Sequence, residues 1–193
     1  MNELEVLAVR RRPAPEARVT GAIREVSAAG ATLLVEGAIF RVEGQRVADP
    51  YRALLDRLRS KGIEAFADVT GDFVACFVTP EATHAFKSLT SQYQLYVREA
   101  DALVSNRLVL FASAAACYFD VGYFARHTLI VPGMQFHMRR TPLAGVDRVL
   151  PGEIVSLGTV VTRRQLVTRR YQYKLDPTQR REDVAPEVVR ILR

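Results

Sequence analysis

The chain has 193 residues, 49% of them hydrophobic and 25% charged, and its 27 Lys and Arg outweigh 21 Asp and Glu for a net charge of +6. That length suits one good-sized domain, or a domain with a tail, able to bury roughly 70% of its unfolded surface without disulfide or metal staples. No apolar run reaches the about 20 residues a membrane helix needs. Residues 4–9, followed by Arg10-Arg11-Arg12, are too short for a signal-peptide core, so a cytoplasmic protein is expected.

Within the first 30 residues only 4–9 have a strand pattern, and Pro13 and Pro15 interrupt it. Residues 31–35 form a strand, with Gly37 marking a turn or bulge within 36–41. Asp49-Pro50 is a helix start, an N-cap acid followed by proline at the first helical position. Tyr51, Leu54, Leu55 and Leu58 then share one helical face, and Gly62 is a stop. Residues 72–78 are nearly all apolar without alternation, the pattern of a strand covered on both faces.

Residues 83–87 and 94–98 read as further strands. A short hairpin turn at 99–101 leads to 102–105, and 108–112 follow. Asp120 caps a short helix through Arg126. Strands are expected at 146–150, 153–157 and 159–162, with turns at Pro151-Gly152 and Gly158. Residues 166–173 are the last strand, and 182–193 a helix with Val184, Val188, Ile191 and Leu192 to one side. A strand covered on both faces within a mainly β chain implies sheet packed on sheet, or helices outside a sheet.

Other signals are bland. Cys76 and Cys117 sit in apolar contexts and read as buried thiols of a reducing compartment. His84, His127 and His137 lack zinc-site spacing, no Gly-x-Ser-x-Gly elbow is present, and no Walker or Gly-x-Gly-x-x-Gly loop occurs. The arginines are scattered in pairs, as on a solvated surface, and no nucleic-acid motif accompanies them.

From about Leu33 onward, however, a series of short segments resembles the asparagine synthetase family's N-terminal domain. Gly71-Asp72-Phe73-Val74-Ala75 is similar to that family's Gly-x-Phe-Ala-Phe strand, Leu95-Tyr96 to its Pro-Leu-Tyr-Tyr, and Phe111-Ala112-Ser113 to its Phe-Ala-Ser-Glu. Gly145-Val146 through Leu150-Pro151-Gly152-Glu153 resembles its Gly-Ile…Leu-Pro-Gly strand and turn, and Tyr171-Gln172-Tyr173 its Arg-Tyr-Trp. The resemblance implies a class II glutamine amidotransferase fold. That fold is an α+β, four-layer αββα sandwich of mainly antiparallel sheets, of the N-terminal-nucleophile type and shortened here at its N-terminus. The domain would span 1–175, with 176–193 a linker and the start of a helix leading into an ATP-dependent synthetase domain.

Against that family the glutamine site is degenerate. Its N-terminal cysteine is replaced by Met1-Asn2, and an amide cannot act as nucleophile. Its Asn-Gly-Glu-Ile-Tyr-Asn becomes Glu36-Gly37-Ala38-Ile39-Phe40-Arg41. A glutamate at position 36 accepts but does not donate, so it repels an oxyanion where the family's asparagine stabilises one. The glutamate that holds the substrate amine becomes Ala38. Asp49 aligns with the family's glutamine-binding aspartate, although its N-cap role explains it equally. Arg-Asp-x-x-Gly-x-x-Pro becomes the 87–94 segment, without glycine or proline.

The resemblance therefore implies a non-catalytic glutaminase-like domain of an ATP-dependent amide-forming protein, in the manner of β-lactam synthetase or the lasso-peptide cyclases. No catalytic, metal or cofactor site is expected in this chain. ATP and Mg belong to the synthetase domain, which is the expected partner in the same or a separate chain, and a homo-oligomer is possible. Two alternatives stay open: a free-standing accessory protein docking through its C-terminal helix, and a basic polyanion-binding module.

Overall fold

The computed structural model describes residues 6–10, 16–20, 23–100, 102–114, 118–129 and 139–167, with side chains for 23–100, 102–112, 118–125 and 139–167. The chain opens with strands β1 (Val6–Arg10), β2 (Glu16–Thr20), β3 (Arg24–Ala28) and β4 (Ala31–Val42). Helix α1 (Pro50–Lys61) and a 3₁₀ turn (Gly62–Asp68) follow, then β5 (Val69–Val78), β6 (Thr83–Lys87), β7 (Tyr96–Arg98) and β8 (Leu103–Ser105). Two short helices, α2 (Val109–Ala114) and α3 (Val121–Leu129), precede β9 (Val146–Arg148), β10 (Glu153–Leu157) and β11 (Val161–Gln165).

The strands form two antiparallel sheets, ordered β2-β1-β8-β7-β9 and β11-β10-β6-β5-β4-β3. Three apolar clusters show how they stack. Leu33, Val35, Phe73, Phe86 and Ile154, on the outer face of the six-stranded sheet, pack against Leu54, Leu55 and Leu58 of α1 and Phe66 of the 3₁₀ turn. Leu34, Val74, Cys76 and Val155 face Val97 and Val104 of the five-stranded sheet. Leu103, Val146 and Tyr96, on the far side of that second sheet, meet Phe111 of α2. The order of layers is helix, sheet, sheet, helix, the expected α+β sandwich.

Local chemistry explains the best-defined pieces. Asp49 Oδ1 accepts from the Arg52 backbone N–H at 3.0 Å and Pro50 follows at the first helical position, so α1 starts where the sequence places it. Its three buried leucines each contribute on the order of 2 kcal/mol through removal from water. Phe66 stacks on Phe86 with ring centroids 4.6 Å apart. The all-apolar stretch at 72–78 lies in β5, whose residues divide between the two cores: Phe73, Ala75 and Phe77 outward to α1, Val74 and Cys76 inward.

Several expectations are corrected. Two strands, β2 and β3, lie within the first 30 residues beyond the one expected there. Both are edge strands, which need little apolar patterning, and β3 is largely exposed. A bulge does fall within 36–41, as expected, but between Ile39 and Arg41 and not at Gly37: β4 runs through Gly37, and Phe40 is left out of the ladder and 57% exposed. That extra residue reverses the alternation, so Val42 joins Leu33, Val35 and Ile39 on the α1 side.

Residues 108–112, placed after a run of strands, instead lead into helix α2. Leu108 and Phe111, three apart, reach the same cluster. The strand expected at 94–98 begins only at Tyr96, that at 159–162 is shifted to Val161–Gln165, and β9 ends at Arg148. The expected last strand falls largely outside the described residues, and the C-terminal helix and the 176–193 segment wholly so. Among the described residues no helix is long and apolar enough to cross a membrane.

Cys76 is fully buried between the sheets, and burial pushes its thiol far above the usual thiol range. A Cys117→Ser variant is expected to resist a thiol reagent until denatured. Rapid labelling in the native state, followed by absorbance, contradicts that placement.

Candidate functional site

Of the expected glutamine-site positions, Glu36, Gly37 and Ala38 lie consecutively at the middle of the β4–β5 ladder, where Glu36 faces Val74, Gly37 faces Phe73 and Ala38 faces Asp72. The two strands approach very closely here. Gly37 has φ +105°, and a Cβ on it would lie 2.2 Å from the Asp72 carbonyl oxygen and 2.7 Å from Tyr93 Cε2. The Gly37 carbonyl accepts from the Tyr51 hydroxyl at 3.1 Å, tying α1 to this point of the ladder.

Glu36 is 7% exposed, and its Oε2 accepts from Asn106 Nδ2 at 3.0 Å. Asn106 immediately follows β8 and is itself buried, so this hydrogen bond joins the two sheets. Both residues line a cavity of about 370 Å³, together with Gln92, Tyr93, Gln94, Tyr96, Arg107 and Leu108. Among the described residues no cysteine, serine or threonine lines it. Ala38 is exposed, and Asp49 is an exposed helix cap outside the cavity lining. Asn2 lies outside the described residues.

A second cavity, also about 370 Å³, shares Gln92 and Gln94 with the first and is otherwise lined by Lys87, Ser91, Arg148 and the 149–151 segment. Lys87 ends β6 on the inward side, in register with Val74, and its carbonyl accepts from the Gly152 N–H at 2.8 Å. It is only 5% exposed. Burial first, then the Arg148 charge, push its ammonium below the usual lysine range, with Asp72 opposing. A lowered lysine binds its proton less well in the fold than in the unfolded chain. The cost is therefore present below its folded pKa and is relieved as pH climbs from there towards 10.5.

Sequence reasoning did not single out Lys87 as a site residue, although Thr83, Ala85 and Lys87 alternate with His84 and Phe86 along β6. Ala85 faces the inner core and Phe86 the outer one, so the alternation sends Lys87 inward. Nor did it single out Asn106 or the carboxylate of Glu153. Glu153 is 2% exposed, with Oε1 accepting from Arg139 at 2.6 Å and Oε2 from the Leu150 N–H at 2.8 Å. Arg163 reaches Asp147 at 3.1 Å and Glu99 at 2.7 Å, so β11 of one sheet is tied to β9 and the β7 end of the other. Burial raises the Asp147 carboxyl, an effect that Arg163 and Arg139 oppose.

His84 bonds Ser156 through Nδ1 at 2.8 Å and stacks on Phe77, a structural setting. Among the described residues no group of three or more His, Cys, Asp or Glu is placed to hold a metal ion.

No family model matches the chain, and no curated protein matches it. Solved structures do. Glutamine phosphoribosylpyrophosphate amidotransferase from B. subtilis, complexed with ADP and GMP, is similar over 78% of this chain at 9% identity and a TM-score of 0.43. The structure of the allosteric regulatory enzyme of purine biosynthesis is similar over 78% at 11% identity and a TM-score of 0.46. The matched part is 32% of each of those chains.

Proposed function

We propose that this chain is a glutaminase-like domain without glutaminase chemistry, belonging to an asparagine synthetase-type protein that forms amide bonds at the expense of ATP. Its work is to support the synthetase domain, where ATP and Mg are bound. The observation that carries this reading is Glu36, a buried acceptor held to Asn106 at the position where the sequence resemblance puts an oxyanion donor. At that position a tetrahedral intermediate in the adjoining cavity would meet a carboxylate in place of a side-chain N–H. Loss of even one oxyanion donor costs on the order of 3 kcal/mol in known hydrolases, before any repulsion is added.

Purified chain incubated with L-glutamine is expected to release no ammonia above the buffer rate, as read by a coupled ammonia assay. Saturable turnover that survives repurification would overturn the proposal.

A further inference from the structure

We propose that the cavity between Lys87 and Arg148 binds a small molecule through an oxyanion, a carboxylate or a phosphate, with these two side chains as its cationic partners. This does not rest on the function proposed above.

Elsewhere in the described structure Arg139 meets Glu153, Arg163 meets Asp147 and Arg57 meets Glu43, and the buried Arg98 donates to the Phe111 carbonyl. Among the described residues no carboxylate forms an ion pair with either Lys87 or Arg148. Arg148 Nε is buried with no hydrogen-bond partner. Asp72 is the opposing charge that acts on Lys87, and its Oδ1 already accepts from the Gln92 N–H at 3.0 Å. Two cations thus line one cavity, one of them 95% removed from solvent (5% exposed). A buried charge without a partner is costly, and so is a buried donor without an acceptor. An oxyanion held between the two side chains would compensate both charges.

The remaining lining fits a small polar molecule. Ser91 Oγ accepts from the Tyr93 N–H at 3.2 Å, which leaves its hydroxyl proton to donate. Gln92 and Gln94 carry amides, and Leu150 and Pro151 give an apolar wall. A volume of about 370 Å³ lies at the small end of ligand pockets and matches a molecule of amino-acid or dicarboxylate size.

The full chain would be titrated with inorganic phosphate, pyrophosphate, succinate and L-glutamate at constant ionic strength. Backbone amide shifts of Gln92, Gln94 and Gly152 would be followed by NMR, with chloride as the control anion. Saturable shifts are expected with at least one probe, and the phosphate and carboxylate arms decide which oxyanion the site takes. Lys87→Met and Arg148→Gln should each weaken binding about tenfold or more, as loss of a charge-assisted partner does. Arg164→Gln, whose arginine pairs with Glu64 away from the cavity, should leave it unchanged. Absence of saturable shifts with all four probes at millimolar concentration, or unchanged affinity in whichever of the two cavity variants folds, overturns the proposal.

Discussion

Gly37→Ala should cost the domain about 3 kcal/mol or more, enough to leave much of it unfolded at ambient temperature. At φ +105° an L side chain is strained wherever space permits. Here space does not permit: the new carbon falls 2.2 Å from a backbone oxygen of the partner strand and 3.0 Å from Phe73 Cα. Backbone in the middle of a sheet cannot move aside without breaking the β4–β5 ladder that carries both cores. Gly44→Ala isolates the strain. Gly44 has φ +73° but nothing near its added carbon, so that variant should lose only about 1 kcal/mol. Urea unfolding followed by circular dichroism measures both. Equal losses in the two variants would mean that β4 and β5 can separate at little cost.

Glu153→Ala should be nearly as damaging, at roughly 3 kcal/mol, because it strands charge that the fold has buried. The carboxylate is 2% exposed and holds Arg139 and the Leu150 N–H, one with each oxygen. Arg163 Nη1 lies 3.9 Å away, itself buried without a hydrogen bond. Glu153→Gln keeps an acceptor but removes the charge, and should fall between the parent and the alanine variant. Part of the Arg139 side chain reaches solvent, which limits the loss. The same urea series decides the matter. An alanine variant within about 1 kcal/mol of the parent would make the cluster decorative, as most exposed ion pairs are.

The layered architecture was legible because its signals are local. Asp49-Pro50 and the Tyr51, Leu54, Leu55, Leu58 spacing declare α1, and the unbroken apolar run in β5 declares a strand between two cores. What stayed hidden depends on contacts distant in sequence. β3 is polar because it lies at an edge, a fact of sheet order. Glu36 and Asn106 are 70 positions apart, and no spacing rule links them. Glu153 was visible as part of a turn after Pro151-Gly152, but not as the buried carboxylate of an ion cluster. Lys87 was read as a rewritten position of a family motif. Only the alternation along β6, once that strand has a core on each side, turns it inward.

The six-stranded sheet ends in β3 on one side and β11 on the other, and both edges are guarded. Arg24 lies over the Tyr51 ring at 4.8 Å, and Arg52 donates to the Ser27 carbonyl, so α1 reaches round to cover edge groups of β3. On β11, Thr162, Arg164 and Gln165 are exposed, and Arg164 is engaged with Glu64. A strand from another molecule would have to displace these contacts and desolvate guanidinium groups before its first ladder hydrogen bond. Edge-to-edge stacking into open-ended assemblies is thereby disfavoured on both flanks, even though the sheet between them is among the most apolar parts of the molecule.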